Sequence, residues 1–150
     1  MKMSCSPMKS SKKQSVGNVL ALFVSKQPTQ KMLLEREGVV NDKFYGQDCN
    51  RSVLISSIES YTIAQKREIS IEHGKLGENI LMDYNPYALP AGTQIQIGEV
   101  ILEISQHCTL CKSLTKIDNR LPKLLKNDRG VFAKVIQAGE IHDRDTIYLV

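Results

Sequence analysis

At 150 residues the chain is long enough for one domain with a sizeable buried core, and it does not need disulfide staples to stay folded. With 41% apolar and 24% charged residues, no tryptophan and only four cysteines, the composition is that of a globular protein without repeats or low-complexity tracts. The formal charge of +4 traces to Lys2, Lys9, Lys12 and Lys13, beyond which 16 basic side chains face 16 acidic ones, so a nucleic-acid partner, which needs a basic face with stacking aromatics, is not expected.

Residues 1–13, "MKMSCSPMKSSKK", are rich in Ser and Lys and lack apolar periodicity, which predicts a disordered basic tail ahead of a single domain over 14–150. "VGNVLALFV" is too short to cross a membrane and is followed by no small-x-small cleavage site, so it reads as a buried first strand. The expected setting is the cytoplasm, with reduced thiols and no membrane partner. "KMLLEREGVV" predicts a strand entering a turn, and "RSVLIS" predicts a buried strand. Ser56 followed by Glu59 is a capping-box pattern that starts a weakly amphipathic helix running to about Arg67. "ISIEHGKLGENILMDY" then predicts strand, glycine-marked loop and strand.

The segment "TQIQIGEVILEI" predicts a β-hairpin. A two-residue type II′ turn at Gly98 and Glu99 pairs Ile97 with Val100 and Ile95 with Leu102, and places all four on one face with Ile104. Next, "KSLTKI" predicts a short helix, and Pro122 demands a break near Asp118 and Asn119 before a second short piece. "GVFAKVI" predicts a strand, "QAGEIHDRD" a turn-rich connector and "TIYLV" a closing strand. Many short strands with few short helices, and no strand-helix-strand rhythm, predict a mostly β, barrel-like domain.

Chemistry concentrates in "ISQHCTLCKSL", where Cys108 and Cys111 stand three apart at the end of a β-patterned segment. A structural zinc site would have to recruit His107, Cys49 or Cys5, and a thioredoxin-type pair belongs in a βαβ unit rather than after a hairpin. A pair of buried structural thiols and a single reactive thiolate are the other readings. Cys111 suits the last better than Cys108, because it stands at the start of the predicted helix beside Lys112. A thiolate there can bind a soft metal or carry a persulfide.

Taken in order, the turn segment ending in Arg51-Ser52-Val53, the run Gly77-Glu78-Asn79-Ile80, the hairpin "PAGTQIQIGEVILEISQ", a cysteine, and "RGVFAKVIQAGEI" with a closing strand resemble the MOSC domain, named from the C-terminal part of molybdenum cofactor sulfurases. The likeness spans residues 16 to 150. It implies a β-barrel-like fold and a site where a cysteine ligates the molybdenum of the pterin cofactor or carries sulfur to it. Cys111 matches the defining cysteine, Asn79 with Gly77 and Glu78 the Gly-Glu-Asn motif that would orient the pterin, and Arg129-Gly130 the Arg-Gly that opens the late strand. The resemblance further implies two-electron reduction of N-hydroxylated small molecules with a redox partner. Its alternatives are a persulfide carrier served by a cysteine desulfurase, or a non-catalytic interaction domain on the same fold. No pyridoxal phosphate is expected, since the lysine-bearing desulfurase domain of larger fusions has no counterpart here. The chain departs from the family where an Arg ahead of a Pro-Cys pair becomes Cys108 and Leu110, where a His becomes Phe44, and where Gly-Asp becomes Arg144-Asp145. Arg51, Arg129 and Lys112 then become the expected phosphate partners.

Overall fold

The first strand, β1 (Gln14–Val24), carries the apolar run that a signal peptide would also show, and it buries Val19, Leu22 and Phe23. The structure, a computed structural model, describes residues 13–108, 112–126 and 128–150; Cys111 and the tail through residue 12 lie outside the described residues. β2 (Gln27–Thr29), β3 (Lys31–Glu35) and β4 (Gly38–Val39) follow, then β5 (Val53–Ser57), the helix α1 (Ile58–Lys66) and β6 (Ile80–Met82). β7 (Gln94–Ile97) and β8 (Val100–His107) form the hairpin, α2 (Lys112–Ile117) and α3 (Leu121–Leu124) the two short helices, and β9 (Val131–Gln137), β10 (Gly139–His142) and β11 (Thr146–Leu149) complete the chain.

The strands run in the order β11-β7-β8-β9-β5-β6-β1, and β11 pairs again with β1, so the sheet closes into a seven-strand barrel. β1 makes this closure possible by pairing with β11 through its first half, Gln14 opposite Leu149, and with β6 through its second, Leu22 opposite Ile80. The fold class is thus as the sequence predicts, mostly β with a few short helices. β5 and β6 are the parallel pair, joined by the crossover that contains α1.

Inside the barrel, alternate residues of each strand interdigitate: Ile95, Ile97, Val100, Leu102 and Ile104 from the hairpin meet Val53, Ile55, Val131, Ala133 and Val135. The hairpin has the predicted register, Ile97 opposite Val100 and Ile95 opposite Leu102, with Gly98 at φ +57°. α2 and α3 fall on either side of Asp118 and Asn119, with Pro122 in the first turn of α3, where no backbone donor is lost.

Three local predictions are corrected. Ser57 rather than Ser56 caps α1, its side chain accepting the Glu59 N–H at 3.1 Å. Residues Ile69 to Ile71 form no strand: Ile69 bonds back to the Ala64 carbonyl, and its side chain joins Ala64, Leu114, Leu121 and Leu125 in a small core beside the barrel. The helices take up the apolar surface that sequence pattern assigned to a sheet. Within the connector "QAGEIHDRD", residues Gly139–His142 are the strand β10, paired with β3, Ile141 opposite Met32, in a second sheet β10-β3-β4. One buried isoleucine among polar residues carries too little pattern to reveal a strand whose partner lies a hundred residues away.

Among the described residues, no helix is long and apolar enough to cross a membrane.

Candidate functional site

β5 and β9 each turn one apolar side chain away from the barrel interior at the same register position, Leu54 opposite Phe132. These two side chains line a cavity of about 250 Å³, walled by the β1–β2 turn, the 41–48 segment, the loop before β6 and the α2–α3 unit. Six of the residues singled out in the sequence meet there: Arg51, Gly77, Glu78, Asn79, Cys108 and Arg129. Lys112 opens α2, and Cys111 directly precedes it in sequence, outside the described residues.

Cys108 follows β8 and keeps it in register with β9 for one more residue, its N–H donating to the Gly130 carbonyl at 3.1 Å. It is buried, and it lines the cavity. Gly130 is required here: at φ +120° a side chain is strained, and a Cβ would stand 2.5 Å from the Ile55 carbonyl oxygen. The Arg-Gly pair therefore lets β9 approach β5 closely and delivers Arg129 to the cavity wall, where its Nη2 donates to the Pro122 carbonyl at 3.0 Å.

Arg51 stands at the end of a 3-10 turn, Cys49–Arg51, whose start is capped by Asp48 accepting the Asn50 N–H. Ser105 on β8 donates its hydroxyl to the Asn50 carbonyl and so fastens this turn to the barrel. The Arg51 guanidinium lies over the Phe132 ring, 5.5 Å from its centroid, a cation–π contact that fixes a charged side chain on an apolar floor.

In the Gly-Glu-Asn segment the asparagine amide is bonded within the protein. Asn79 is 5% exposed; its Oδ1 accepts the Leu54 N–H at 3.0 Å, and its Nδ2 donates to the Phe23 carbonyl at 3.2 Å and to Asp42 Oδ1 at 3.1 Å. Both amide hydrogens are thereby used within the protein. Asp42 in turn accepts from the Ser25 N–H at 2.7 Å and the Phe44 N–H at 3.2 Å. The buried pair ties the loops bearing Lys26 and Lys43 to β5 and β6. Gly77, at φ +92°, makes the turn that brings Glu78 and Asn79 inward. Glu78 is 1% exposed and accepts a hydrogen bond from the Tyr61 hydroxyl. Burial, then the Glu78 charge, hold the Tyr61 phenol far above its ordinary pKa, so it stays a protonated donor.

Five basic residues line the cavity, Lys26, Lys43, Arg51, Lys75 and Arg129, against three acidic ones, Asp42, Asp48 and Glu78. All three carboxylates already accept hydrogen bonds from the protein, so the wall favours an anionic guest. Sequence reasoning missed Lys26, Lys43 and Lys75. Their only local signature was proximity to turn residues. Among the described residues there is no cluster of three or more His, Cys, Asp or Glu able to hold a metal, and His107, considered with the cysteines, instead stacks on Tyr87 at 3.9 Å between centroids.

The MOSC domain family model matches residues 35–148. The chain belongs to the MOSC domain family. Solved structures resemble this MOSC domain over nearly its whole length. The YUAD protein from Bacillus subtilis superposes with a TM-score of 0.80 at 17% identity, covering 91% of this chain and 96% of that one. YiiM from Escherichia coli gives 0.71 at 18% identity over 90% and 70% of the two chains, and YiiM from Geobacillus stearothermophilus 0.66 at 16% over 92% and 75%. At such identities the likeness is one of fold. No curated protein matches the chain.

Proposed function

We propose that this MOSC domain holds the molybdenum cofactor in the cavity over Leu54 and Phe132, with the Cys111 thiolate as the protein ligand to molybdenum, and reduces small N-hydroxylated compounds in the cytoplasm. The observation that carries the reading is convergence: six residues chosen from scattered stretches of sequence line one cavity whose charged residues are predominantly basic. A phosphorylated pterin fits that donor set, because Arg51 and Arg129 offer planar guanidinium forks, and Lys26, Lys43 and Lys75 further positive charge, to a phosphate. When bound, the cofactor supplies a metal able to accept the oxygen of an N–O bond in a two-electron reduction.

The chain's own contributions are distinct. Cys111 is the ligand; Arg51 and Arg129 hold the anionic end; Leu54 and Phe132 give an apolar surface against which a planar ring packs. Asn79 acts through Asp42, keeping the Lys26 and Lys43 loops in place. In this reading a redox partner supplies the electrons. Expression in a host that makes the cofactor, followed by metal analysis, tests the reading. Wild type should retain molybdenum and Cys111→Ser should lose most of it; equal loading defeats the proposal.

A second reading, sulfur carriage, draws on Cys108 as a second thiol lining the cavity. A persulfide on Cys111, loaded by a cysteine desulfurase, would be attacked by the Cys108 thiolate, forming the Cys108–Cys111 disulfide and releasing hydrosulfide. Mass spectrometry after incubation with a desulfurase and cysteine should then show one reducible extra sulfur on Cys111 in the Cys108→Ser variant and the Cys108–Cys111 disulfide in the wild type.

A further inference from the structure

Glu78 presents an unusual half-used carboxylate. One oxygen, Oε2, accepts the Tyr61 hydroxyl, while the other, Oε1, is buried and has no hydrogen-bond partner among the described residues. Tyr61 is itself fixed, its oxygen accepting the Gly74 N–H at 3.0 Å and its ring meeting His73 edge-on at 4.8 Å. The carboxylate is thus held at Oε2 by a fixed donor, and Glu78 belongs to the cavity wall. A buried carboxylate oxygen left unpaired is costly, and folds retain such a group where something completes it.

We infer that Glu78 Oε1 is the acceptor for an uncharged planar N–C–N edge bearing N–H donors, as an aminopyrimidinone ring or an N-hydroxyamidine presents. The complement of Oε1 is an N–H donor. The five basic residues around the cavity disfavour a cationic amidinium, and they favour a neutral donor edge joined to an anionic group. Tyr61 is the positioning residue, since its hydroxyl holds Oε2 and so sets the direction of Oε1. This inference rests on the cavity being the binding site, and it adds which end of a guest points inward: donor edge toward Glu78, anion toward Arg51 and Arg129.

The test uses the full chain purified from a host unable to make the cofactor, titrated with pterin-6-carboxylate and with lumazine-6-carboxylate. The latter replaces the 2-amino group by a carbonyl oxygen and would set a lone pair against Oε1. Wild type should bind the pterin at least about tenfold more tightly, and Glu78→Gln, which keeps an acceptor for Tyr61 but offers an amide donor to the guest, should bring the ratio close to one. Benzamidoxime against benzaldoxime, which lacks the amino group, asks the same of a substrate. Discrimination confined to the pterin pair assigns the edge to the cofactor, and discrimination confined to the oxime pair assigns it to the substrate. Glu78→Asp, with its carboxylate withdrawn by one methylene, serves if Glu78→Gln does not fold. Wild type that distinguishes neither pair, or a ratio untouched in both variants, overturns the assignment. Molybdenum content of cofactor-loaded protein keeps the two ideas separate. Cys111-dependent metal without discrimination defeats only the Glu78 assignment, and discrimination without metal defeats only the proposed function.

Discussion

The amide of Asn79 and the carboxylate of Asp42 meet across 37 residues of sequence, and between them they satisfy the N–H groups of Ser25, Phe44 and Leu54 and the carbonyl of Phe23. Asn79→Ala leaves the Leu54 N–H and the Phe23 carbonyl without these partners in a buried setting, and should reduce stability by about 2–4 kcal/mol in urea denaturation. Asn79→Asp should cost more at neutral pH, because it sets a second carboxylate against Asp42. An Asn79→Ala protein as stable as wild type would contradict the architectural role. The Gly-Glu-Asn stretch was visible in the sequence as a candidate, but not what its asparagine touches, since neither Phe23 nor Asp42 is near it in the chain. Ser25 and Lys26 illustrate the same limit. They form a two-residue hairpin turn with φ of 47° and 69°, a conformation normally given to Gly or Asn, and it is held from outside by the Asp42 bond to Ser25 and by the Ser25 hydroxyl accepting the Lys43 N–H at 2.9 Å. Turn chemistry read locally gives no hint of it, and so the cavity lysine it presents went unnoticed.

At the level of elements, α1 shows how a correct signal can be placed one residue off. Ser56 and Ser57 are both buried, yet only Ser57 reaches the exposed N–H groups of the first turn, while the Ser56 hydroxyl has no partner among the described residues. Ser57→Ala should therefore lower stability by about 1 kcal/mol, and Ser56→Ala should leave it unchanged or raise it slightly. Paired denaturant midpoints settle the point, and the reverse order would return the cap to Ser56. The β7–β8 hairpin was fully legible because turn chemistry and alternation specified one register independently. β10 was not, because its pairing with β3 depends on the rest of the barrel to bring the two together.

Across the whole molecule the site joins two bodies of unequal strength. Its floor belongs to the barrel, closed by β1 and β11 around one large core; part of its wall belongs to α2 and α3, which pack through the smaller cluster of Ala64, Ile69, Leu114, Leu121 and Leu125. Leu114 and Leu125 face both that cluster and the cavity, and Arg129 bonds the Pro122 carbonyl of α3. Short helices with little buried apolar area open at lower free energy than a closed sheet. Native-state hydrogen exchange in low denaturant should accordingly find the amides of β8 and β9 exchanging only by global unfolding, and those of α2 and α3 through an earlier, partial opening. A guest bridging floor and wall, as a ligand between Phe132 and Arg129 would, must raise the protection of α2 and α3 toward that of the barrel. Uniform protection across both bodies in the ligand-free protein would show instead that they unfold as one unit, and the wall would then be as firm as the floor it stands on.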